Sequence, residues 1–245
     1  APARGAAHLV MQVLEEVTDI FVALGYTVAD GPEAETAYYH FDALNTPPTH
    51  PARLESDTLY VEHGPDPEGV LMRAQTSPVQ VRYMEQHPPP VYLVSPGRVF
   101  RRDTPDATHT PVFHQMEGLA VDVDLTLADL KGTLAHFARE FFGPNQLVRF
   151  LPHFFPFTEP SAEMLTSCFA CGGSGCRVCG GSGWIELLGC GVVDPNVFES
   201  VGYDPAAVSG FAFGVGVDRL AMIRYGVPEL RYFFDPDLRV LEQFR

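Results

Sequence analysis

Residues 97–118 read GRVFRRDTPDATHTPVFHQMEG, two strand-like runs on either side of a polar loop. Pro, Asp and Thr residues at positions 103–111 favour a loop, so residues 98–102 and 112–121 are predicted to pair as an antiparallel hairpin. Such a hairpin brings Arg101 and Asp103 close to the returning strand. On that strand Phe113, Gln115 and Glu117 alternate, so their side chains are expected to share one face.

A second arginine segment lies further along the chain. Residues 210–222 read GFAFGVGVDRLAM, a glycine-spaced strand that continues directly into a helix carrying Arg219. Two guanidinium groups facing one cleft suit a triphosphate, because the planar fork of arginine matches phosphate oxygens in pairs. A purely structural ion-pair role for Arg101 and Arg219 is the alternative interpretation.

Length and composition indicate one globular domain over residues 1–245. The chain has 245 residues, of which 46% are hydrophobic and 19% charged, which is ordinary for such a domain. No apolar run approaches the roughly 20 residues of a membrane span and no signal peptide is visible. A cytoplasmic protein without membrane contact is therefore expected.

The net charge of −15, with 16 Lys and Arg residues, bears on nucleic-acid binding. Basic residues supply most of the affinity for phosphate backbones. Any nucleic-acid partner is therefore expected to be held mainly by another chain or by a segment outside this sequence. Good solubility is the simpler interpretation of the same charge.

Periodicity and turn residues predict the main elements. Helices are predicted over residues 8–24, 79–86 and 126–142, the second starting at Thr76-Ser77-Pro78 and the third carrying a capping box of Thr126 and Asp129. The apolar face of the first helix is expected to pack against the core. Strands are predicted over residues 59–62, 70–73, 92–96, 147–151 and 184–188. Without a regular βαβ alternation, the fold class is α+β, an antiparallel sheet flanked by helices.

The internal repeat at residues 168–183 reads CFACGGSG and then CRVCGGSG. Two Cys-x-x-Cys pairs can supply a tetrahedral zinc site and make the segment a small zinc-knuckle insert. Four protein ligands leave no open position, so the zinc would be structural. Disulfides or free thiols are the alternative, and a cytoplasmic location disfavours disulfides. The candidate ligands are Cys168, Cys171, Cys176 and Cys179.

Several motifs resemble one family closely. Residues 97–118 and 210–222 resemble motifs 2 and 3 of class II aminoacyl-tRNA synthetases. The catalytic α subunits of bacterial phenylalanyl-tRNA synthetases are similar over nearly the whole chain, although their N-terminal coiled-coil arm has no counterpart here. The motifs that carry this closer likeness are FHQMEG (113–118), FPFTEPSAE (155–163), GFAFGVGVDRLAMIRYGVPELR (210–231), GPEAE (31–35), FDALNTPPTHPAR (41–53) and the C-terminal LEQFR.

The resemblance implies a class II catalytic domain that activates phenylalanine with ATP and transfers it to tRNA(Phe). The implied partner is a β subunit in a heterotetramer of two α and two β chains, and the implied cofactors are ATP, Mg²⁺ and structural Zn²⁺. One alternative is a class II paralogue that adenylates an amino acid without charging tRNA. Another is an inactive zinc-ribbon binding module on a synthetase scaffold.

For the nucleotide, the resemblance implies two catalytic arginines and three further contacts. Arg101 is placed at the α-phosphate, and Arg219 on the adenine and the terminal phosphate. Asp103 would receive the adenine amino group, at a position where the family usually has Glu. Phe113 would stack on adenine, with plain core packing as the alternative. His109 would contact a phosphate, with a solvated loop position as the alternative.

For the amino acid, the resemblance implies an aromatic pocket with a polar end. Phe155 and Phe157, expected to share a face of an extended segment, would meet the substrate phenyl ring edge to face above a floor at Ala212. Gln75 departs from the family, which usually has His two residues before Ser77. The polar end that would hold the ammonium and carboxylate consists of Gln75, Ser77, Gln115 and Glu117.

A magnesium ligand is also implied. Glu186, on the strand after the insert, resembles the acidic residue that helps to hold Mg²⁺ on ATP. Mg²⁺ usually takes one or two carboxylates together with phosphates and water. Glu159 and Glu163 are other candidates.

Overall fold

The computed structural model describes residues 7–107 and 109–234, together with residues 237, 239 and 243. The C-terminal LEQFR motif, apart from Gln243, lies outside the described residues. The helices are α1 (Leu9–Ala23), α2 (Ala37–His40), α3 (Ser77–Met84), α4 (Leu127–Phe142), α5 (Pro195–Ser200), α6 (Val217–Tyr225) and α7 (Arg231–Phe234). The strands are β1 (Thr27–Val28), β2 (Ala34–Thr36), β3 (Leu59–Tyr60), β4 (Val70–Met72), β5 (Val91–Phe100), β6 (Val112–Asp122), β7 (Val148–Phe155), β8 (Thr158–Ser167), β9 (Trp184–Val193) and β10 (Ser209–Gly216).

Two sheets are present in the described part of the chain. Seven strands form the main sheet in the order β1-β5-β6-β10-β9-β8-β7, and β2-β4-β3 form a small second sheet. The main sheet is antiparallel except at one edge, where β1 runs parallel to β5. The prediction of an antiparallel sheet is wrong at that edge. No hairpin joins the two strands, since the chain builds the second sheet and α3 between them, and a long connection permits parallel pairing.

The predicted hairpin of the first arginine segment is confirmed, with a longer outgoing strand than expected. The runs over 92–96 and 98–102 are one strand, β5, which pairs with β6 along its length. Pro96 does not break it, because β1 pairs only with Leu93 and Val94 and the next part of that edge is open. Arg101 follows the strand, and its N–H donates to the carbonyl of Pro111 at 2.9 Å. This hydrogen bond closes the base of the loop.

The other predicted elements form with shifted ends. The helix expected over 8–24 is α1, with His8 as its N-cap and Gly25 in the left-handed region at φ 94°. The capping box of α4, Thr126 and Asp129, is confirmed. Helix α3 begins at Ser77 with Thr76 as its N-cap, as predicted, and ends at Met84, two residues before the predicted end, while β7 and β9 extend further than expected. Strand β8 has no counterpart in the sequence prediction.

The main sheet separates an apolar core from an open cleft. On one face, α1, α4 and α6 pack on the sheet, and the ring of Phe21 stacks on Phe213 and Phe137 at centroid distances of 4.8 and 5.3 Å. Gly118 allows this packing, because a Cβ there would lie 2.1 Å from Cζ of Phe213. Alternate residues of β6 and β10 point to the other face, where the cleft lies. No described helix combines the length and apolarity that a bilayer crossing requires.

Candidate active site

A cavity of about 770 Å³ opens on the cleft face of the main sheet. It gathers most of the residues that the sequence singles out. The aromatic side and floor include Phe155, Phe157 and Ala212. The polar side includes Gln75, Ser77, Gln115 and Glu117, and Arg101, Asp103 and Glu186 complete the set.

Glycines of β9 and β10 leave part of the cavity floor without side chains. A Cβ at Gly214 would lie 2.9 Å from Cγ of Glu117, and one at Gly189 would lie 2.7 Å from Cζ of Phe155. Both distances are too short for any side chain at either position while its neighbour stays in place. Glu117 and Phe155 can therefore lie directly on the strands, which leaves the space above them open.

The two phenylalanines lie side by side in the cavity. Their rings are nearly parallel, with an interplanar angle of 8° and a centroid distance of 5.8 Å. The extended segment predicted for them is wrong, because Pro156 and Phe157 form the turn between β7 and β8. The turn nevertheless brings both rings to the cavity. The two side chains therefore lie together as predicted, although Phe157 is not in an extended segment.

Glu117 lies at the centre of a buried hydrogen-bond network. Its carboxylate accepts from the Thr76 N–H at 3.1 Å, from Nε2 of Gln80 at 3.2 Å and from Oγ of Ser77. Only 6% of the residue is exposed. Burial raises the pKa of Glu117 to about 7, although the hydrogen bonds from Ser77 and Thr76 act in the opposite direction. A cation bound beside it would favour the ionised form.

Gln115 offers an acceptor to the same region. Its Oε1 is buried and accepts no hydrogen bond from any described residue. Leaving a buried acceptor unpaired costs about 1–3 kcal/mol. A donor in the cavity, such as an ammonium group, would remove this cost.

Gln80 and His40 are among the polar residues of the cavity wall that the sequence prediction does not name. Gln80 follows Ser77 by three positions on α3, and that spacing, which places both on one helix face, could have revealed it. His40 is 2% exposed, and its Nδ1 has no partner among the described residues. Burial, together with the charges of Arg101 and Arg53, lowers the pKa of His40 to about 3. Nothing in the local sequence distinguishes this histidine.

Arg101 stands at the edge of the cavity beside Phe113. Its guanidinium carbon lies 5.0 Å from the centroid of the Phe113 ring, within the range of a cation–π contact. Its Nε donates to the carbonyl of Ala74 at 3.1 Å. Asp103 lies on the same wall. Arg101 and Phe113 are thus adjacent, as the hairpin predicts, although Phe113 itself does not line the cavity.

The other two predicted nucleotide contacts also lie outside the cavity lining of the described residues. Arg219 is exposed on the first turn of α6. His109 is exposed on the loop, with its Nδ1 3.1 Å from Oδ2 of Asp106, beside a separate surface depression. The structure therefore does not bring Arg219 and His109 to the residues around the phenylalanine pair.

Acidic residues line the side of the cavity formed by β8 and β9. Glu163 and Glu186 are both in the wall, whereas Glu159 is not among the described lining residues. Oε1 of Glu163 lies 3.2 Å from Nδ1 of His153. Glu163 is therefore the better supported of the two additional magnesium candidates. Mg²⁺ usually takes one or two protein carboxylates, while phosphates and water supply its other ligands.

The four cysteines of the insert converge at the tip of the β8–β9 hairpin. Their sulfur atoms all lie within 4.8 Å of one another. The sulfurs of Cys168 and Cys176 are 3.8 Å apart, and those of Cys171 and Cys179 are 3.9 Å apart. Zn–S bonds of about 2.3 Å give a tetrahedron with edges of about 3.8 Å, whereas a disulfide bond is about 2.05 Å long. The arrangement fits zinc and does not fit disulfides.

Backbone donors support thiolates in this cluster. Cys179 accepts hydrogen bonds from the N–H groups of Cys176 and Gly183 at 3.1 and 3.2 Å. These hydrogen bonds lower the pKa of the Cys179 thiol to about 6, and the bond from Cys176 has the largest effect. Burial raises the pKa of the Cys168 thiol to about 11. A metal would supply the positive charge that its ionisation requires.

Comparisons with known proteins agree with this geometry. The family model for the class II core domain (F) of tRNA synthetases matches residues 1–244. The phenylalanine–tRNA ligase alpha subunit of Caldanaerobacter subterraneus subsp. tengcongensis is 57% identical over 240 residues, which cover 98% of this chain and 69% of the relative. Alpha subunits of the same name from Clostridium botulinum and Clostridium perfringens are 54% identical with the same coverage. With that identity along almost its entire length and with that core domain, the chain belongs to the family of phenylalanine–tRNA ligase alpha subunits.

Proposed function

We propose that the chain activates phenylalanine with ATP to phenylalanyl-adenylate and transfers the amino acid to tRNA(Phe), as the catalytic α subunit of phenylalanine–tRNA ligase. One observation carries this proposal. A single cavity has a stacked phenylalanine pair on one side and a buried carboxyl with an unpaired amide oxygen on the other. These two sides complement the phenyl ring and the ammonium group of one substrate.

The amino acid is held at both ends. Phe155 and Phe157 take the phenyl ring above the strand floor at Ala212, where aromatic contacts add about 0.5–1.5 kcal/mol to the gain from burial. At the polar end, Glu117 and Oε1 of Gln115 accept from the ammonium group. Ser77 and Gln80 hold the Glu117 carboxylate in place. Gln75 lies on the same wall and can donate to the substrate carboxylate.

The activation step needs no side-chain base, because the attacking carboxylate is already ionised. One of its oxygens forms a bond to the α-phosphorus of ATP, and the bond from that phosphorus to pyrophosphate breaks. Arg101 stabilises the charge that develops on the α-phosphate, and one preorganised donor of this kind contributes about 2.7–4 kcal/mol. Holding both reactants in line contributes about 7–11 kcal/mol.

The remaining nucleotide contacts are assigned to the second arginine segment and the loop. Phe113 stacks on adenine and Asp103 accepts from its amino group. Arg219 packs on adenine and reaches the terminal phosphate, and His109 contacts a phosphate. This assignment requires the exposed side chain of Arg219 and the loop that carries His109 to turn towards the bound nucleotide, because neither residue is among the described residues of the cavity wall. Glu186, with Glu163 beside it, would hold Mg²⁺ on the phosphates. The ion would neutralise charge on the triphosphate.

The insert over residues 168–183 is assigned a structural role. Zinc bound by its four cysteines would fix the end of the β8–β9 hairpin, whose strands carry Glu163 and Glu186. With four thiolates around it, the ion has no position for a substrate.

Transfer requires partners beyond this chain. A hydroxyl of the terminal adenosine of tRNA(Phe) attacks the adenylate carbonyl, and AMP leaves. With a net charge of −15, the chain is a weak electrostatic match for tRNA, so most of the tRNA would be held by a β subunit in an α₂β₂ heterotetramer. Since the product feeds translation, the enzyme acts in the cytoplasm.

The test is amino-acid-dependent ATP–pyrophosphate exchange, measured on the chain alone and with its β subunit against all common amino acids. Exchange with phenylalanine, and weakly with tyrosine, is the expected result. Arg101→Ala should abolish it, while the neighbouring Arg102→Ala, which removes a surface hydrogen bond to the carbonyl of Glu55, should not. Exchange with another amino acid, or none in the complex, would overturn the proposal.

The same preparation separates the two alternatives. A paralogue that only adenylates would show exchange but would not charge tRNA(Phe) in the presence of the β subunit. A binding module without activity would fail to bind ATP in calorimetry.

A further inference from the structure

Asp218 joins the two arginine segments at a point where the sheet ladder ends. Strand β10 pairs with β6 as far as Gly216 opposite Gln115, and the chain then turns into α6. The next donor on β6, the N–H of His114, is met by the Asp218 side chain, whose Oδ2 lies 2.5 Å away. Asp218 therefore continues the ladder by one hydrogen bond after β10 has left the sheet.

The Asp218 carboxylate is unusually isolated for a buried charge. The residue is 2% exposed, and Oδ1 accepts no hydrogen bond from any described residue. Nδ1 of His114 lies 3.5 Å from Oδ2, too far for a good hydrogen bond. Burying a carboxylate with an unpaired oxygen is unfavourable. Its position in the first turn of α6, where the helix dipole favours negative charge, offsets part of this cost.

The neighbours of this contact are two of the residues assigned to adenine. Phe113 precedes His114 on β6, and Arg219 follows Asp218 on α6. The hydrogen bond between His114 and Asp218 therefore ties the strand that carries Phe113 to the first turn of the helix that carries Arg219. A charge-assisted hydrogen bond is shorter and stronger than a neutral one, so it holds the strand and the helix together more firmly.

The amino-acid half of the site is fixed by different contacts. Its polar end depends on the network from Thr76, Ser77 and Gln80 to Glu117. None of these hydrogen bonds involves α6. A substitution at Asp218 should therefore displace the residues assigned to ATP and leave those assigned to phenylalanine in place.

We infer that Asp218 is a positioning residue for ATP, which holds Phe113 and Arg219 at the spacing that the adenine ring requires. The inference rests on the proposed function, since that function assigns both residues to the nucleotide. It adds a selective role for a side chain that touches neither substrate. The contact to be tested runs from Oδ2 of Asp218 to the His114 N–H. Asp218→Asn keeps an acceptor oxygen and removes the charge, so it tests the charge, whereas Asp218→Ala tests the contact itself.

The experiment compares these variants with the unmodified chain, each in complex with the β subunit. Pyrophosphate exchange gives kcat and the KM for each substrate, and calorimetry gives the Kd for ATP. For Asp218→Ala we expect the KM and Kd for ATP to rise about tenfold, the usual effect of losing one charge-assisted hydrogen bond. For Asp218→Asn we expect a smaller rise in both. The KM for phenylalanine should stay within about twofold, since its contacts are intact.

Asp129→Ala is the matched control. Asp129 also accepts a backbone N–H at the start of a helix, from Thr126 at 2.8 Å, but it lies on α4 and outside the cavity. This variant should leave both KM values unchanged. Hydrogen exchange at the His114 amide should accelerate in Asp218→Ala and not in Asp129→Ala.

The possible outcomes separate the inference from the proposed function. Equal rises in KM for ATP and phenylalanine would mean a general structural role and would overturn the inference. So would an unchanged Kd for ATP. Absence of phenylalanine-dependent exchange in the unmodified complex would instead reject the proposed function, and the ATP Kd of the variants would still decide the role of Asp218.

Discussion

Replacing Glu117 by Gln tests the polar end of the phenylalanine site most directly. The carboxylate accepts three hydrogen bonds within the protein and faces the cavity where the substrate ammonium is expected. Gln keeps the size of the side chain but removes the charge and replaces one acceptor by a donor. Losing a charged partner of this kind costs about 1.5–3 kcal/mol, so the KM for phenylalanine should rise roughly ten- to a hundredfold.

The KM for phenylalanine should also depend on pH, by an amount that the pKa of Glu117 determines. Burial raises the pKa of Glu117 from 4.5 to about 7 in the folded chain. The ammonium pairs with the ionised form, which is the minor form at pH 6 and the major form at pH 8. The KM for phenylalanine should therefore fall about tenfold as the pH rises from 6 to 8, because the ionised fraction grows by that factor.

The free energy of unfolding should fall as the pH rises towards 7, whereas the affinity for phenylalanine rises. A carboxyl with a raised pKa holds its proton in the folded chain at pH values where the unfolded chain has lost it. Folding stability from Glu117 is therefore lost as the pH rises from about 4.5 to about 7. Glu117→Gln should lack this component, which denaturant titrations at pH 5 and pH 8 would measure.

The kinetic assay is pyrophosphate exchange with the β-subunit complex at pH 6, 7 and 8, with phenylalanine varied at saturating ATP. The pH dependence of the KM should vanish in Glu117→Gln, while the KM for ATP should be similar in both proteins. A KM for phenylalanine that is independent of pH in the unmodified enzyme would refute the reasoning. A pH dependence that persists in the variant would assign it to another group.

Three further predictions concern the insert, the pocket floor and the core. The chain should bind one zinc ion through its four cysteines, measured by elemental analysis, and Cys176→Ser should lose it; a metal-free protein with disulfide-linked cysteines would contradict the site. Ala212→Gly should admit phenylalanine analogues with larger para substituents, so unchanged relative kcat/KM values would remove Ala212 from the pocket. Gly118→Ala should lower the free energy of unfolding by about 1–3 kcal/mol, because the new Cβ would lie 2.1 Å from Cζ of Phe213; an unchanged denaturation midpoint would show that the ring moves aside without cost.

The sequence predicts the cavity residues of the hairpin well, because strand alternation is a local property. Gln115 and Glu117 face the cleft as their spacing requires. The convergence of the four cysteines is predicted equally well, since two Cys-x-x-Cys pairs leave few ways to arrange the thiols. In both cases the pattern and the geometry depend on neighbouring residues alone.

Features that depend on distant parts of the chain could not be predicted in this way. The parallel edge at β1 results from the connection that follows it, and no residue of Thr27–Val28 encodes the direction. The turn at Phe157 depends on how β8 pairs with β7. His40 and Asp218 acquire their importance only from the strands and arginines that the fold brings to them. Sequence patterns report these residues as ordinary polar positions.

The glycine floor of the cavity limits how this site can change by mutation. At Gly189 and Gly214 the strand backbone itself is the surface, so every substitution there adds atoms and none can remove them. Single changes at these positions can only shrink the accepted range of amino acids. Broader acceptance must come from positions where a side chain can be shortened, at Phe155 and Phe157 on the side of the pocket or at Ala212 on its floor. Evolution and engineering of this pocket are therefore directional, because changes at the glycines can only narrow it and widening is confined to the few positions that carry a side chain.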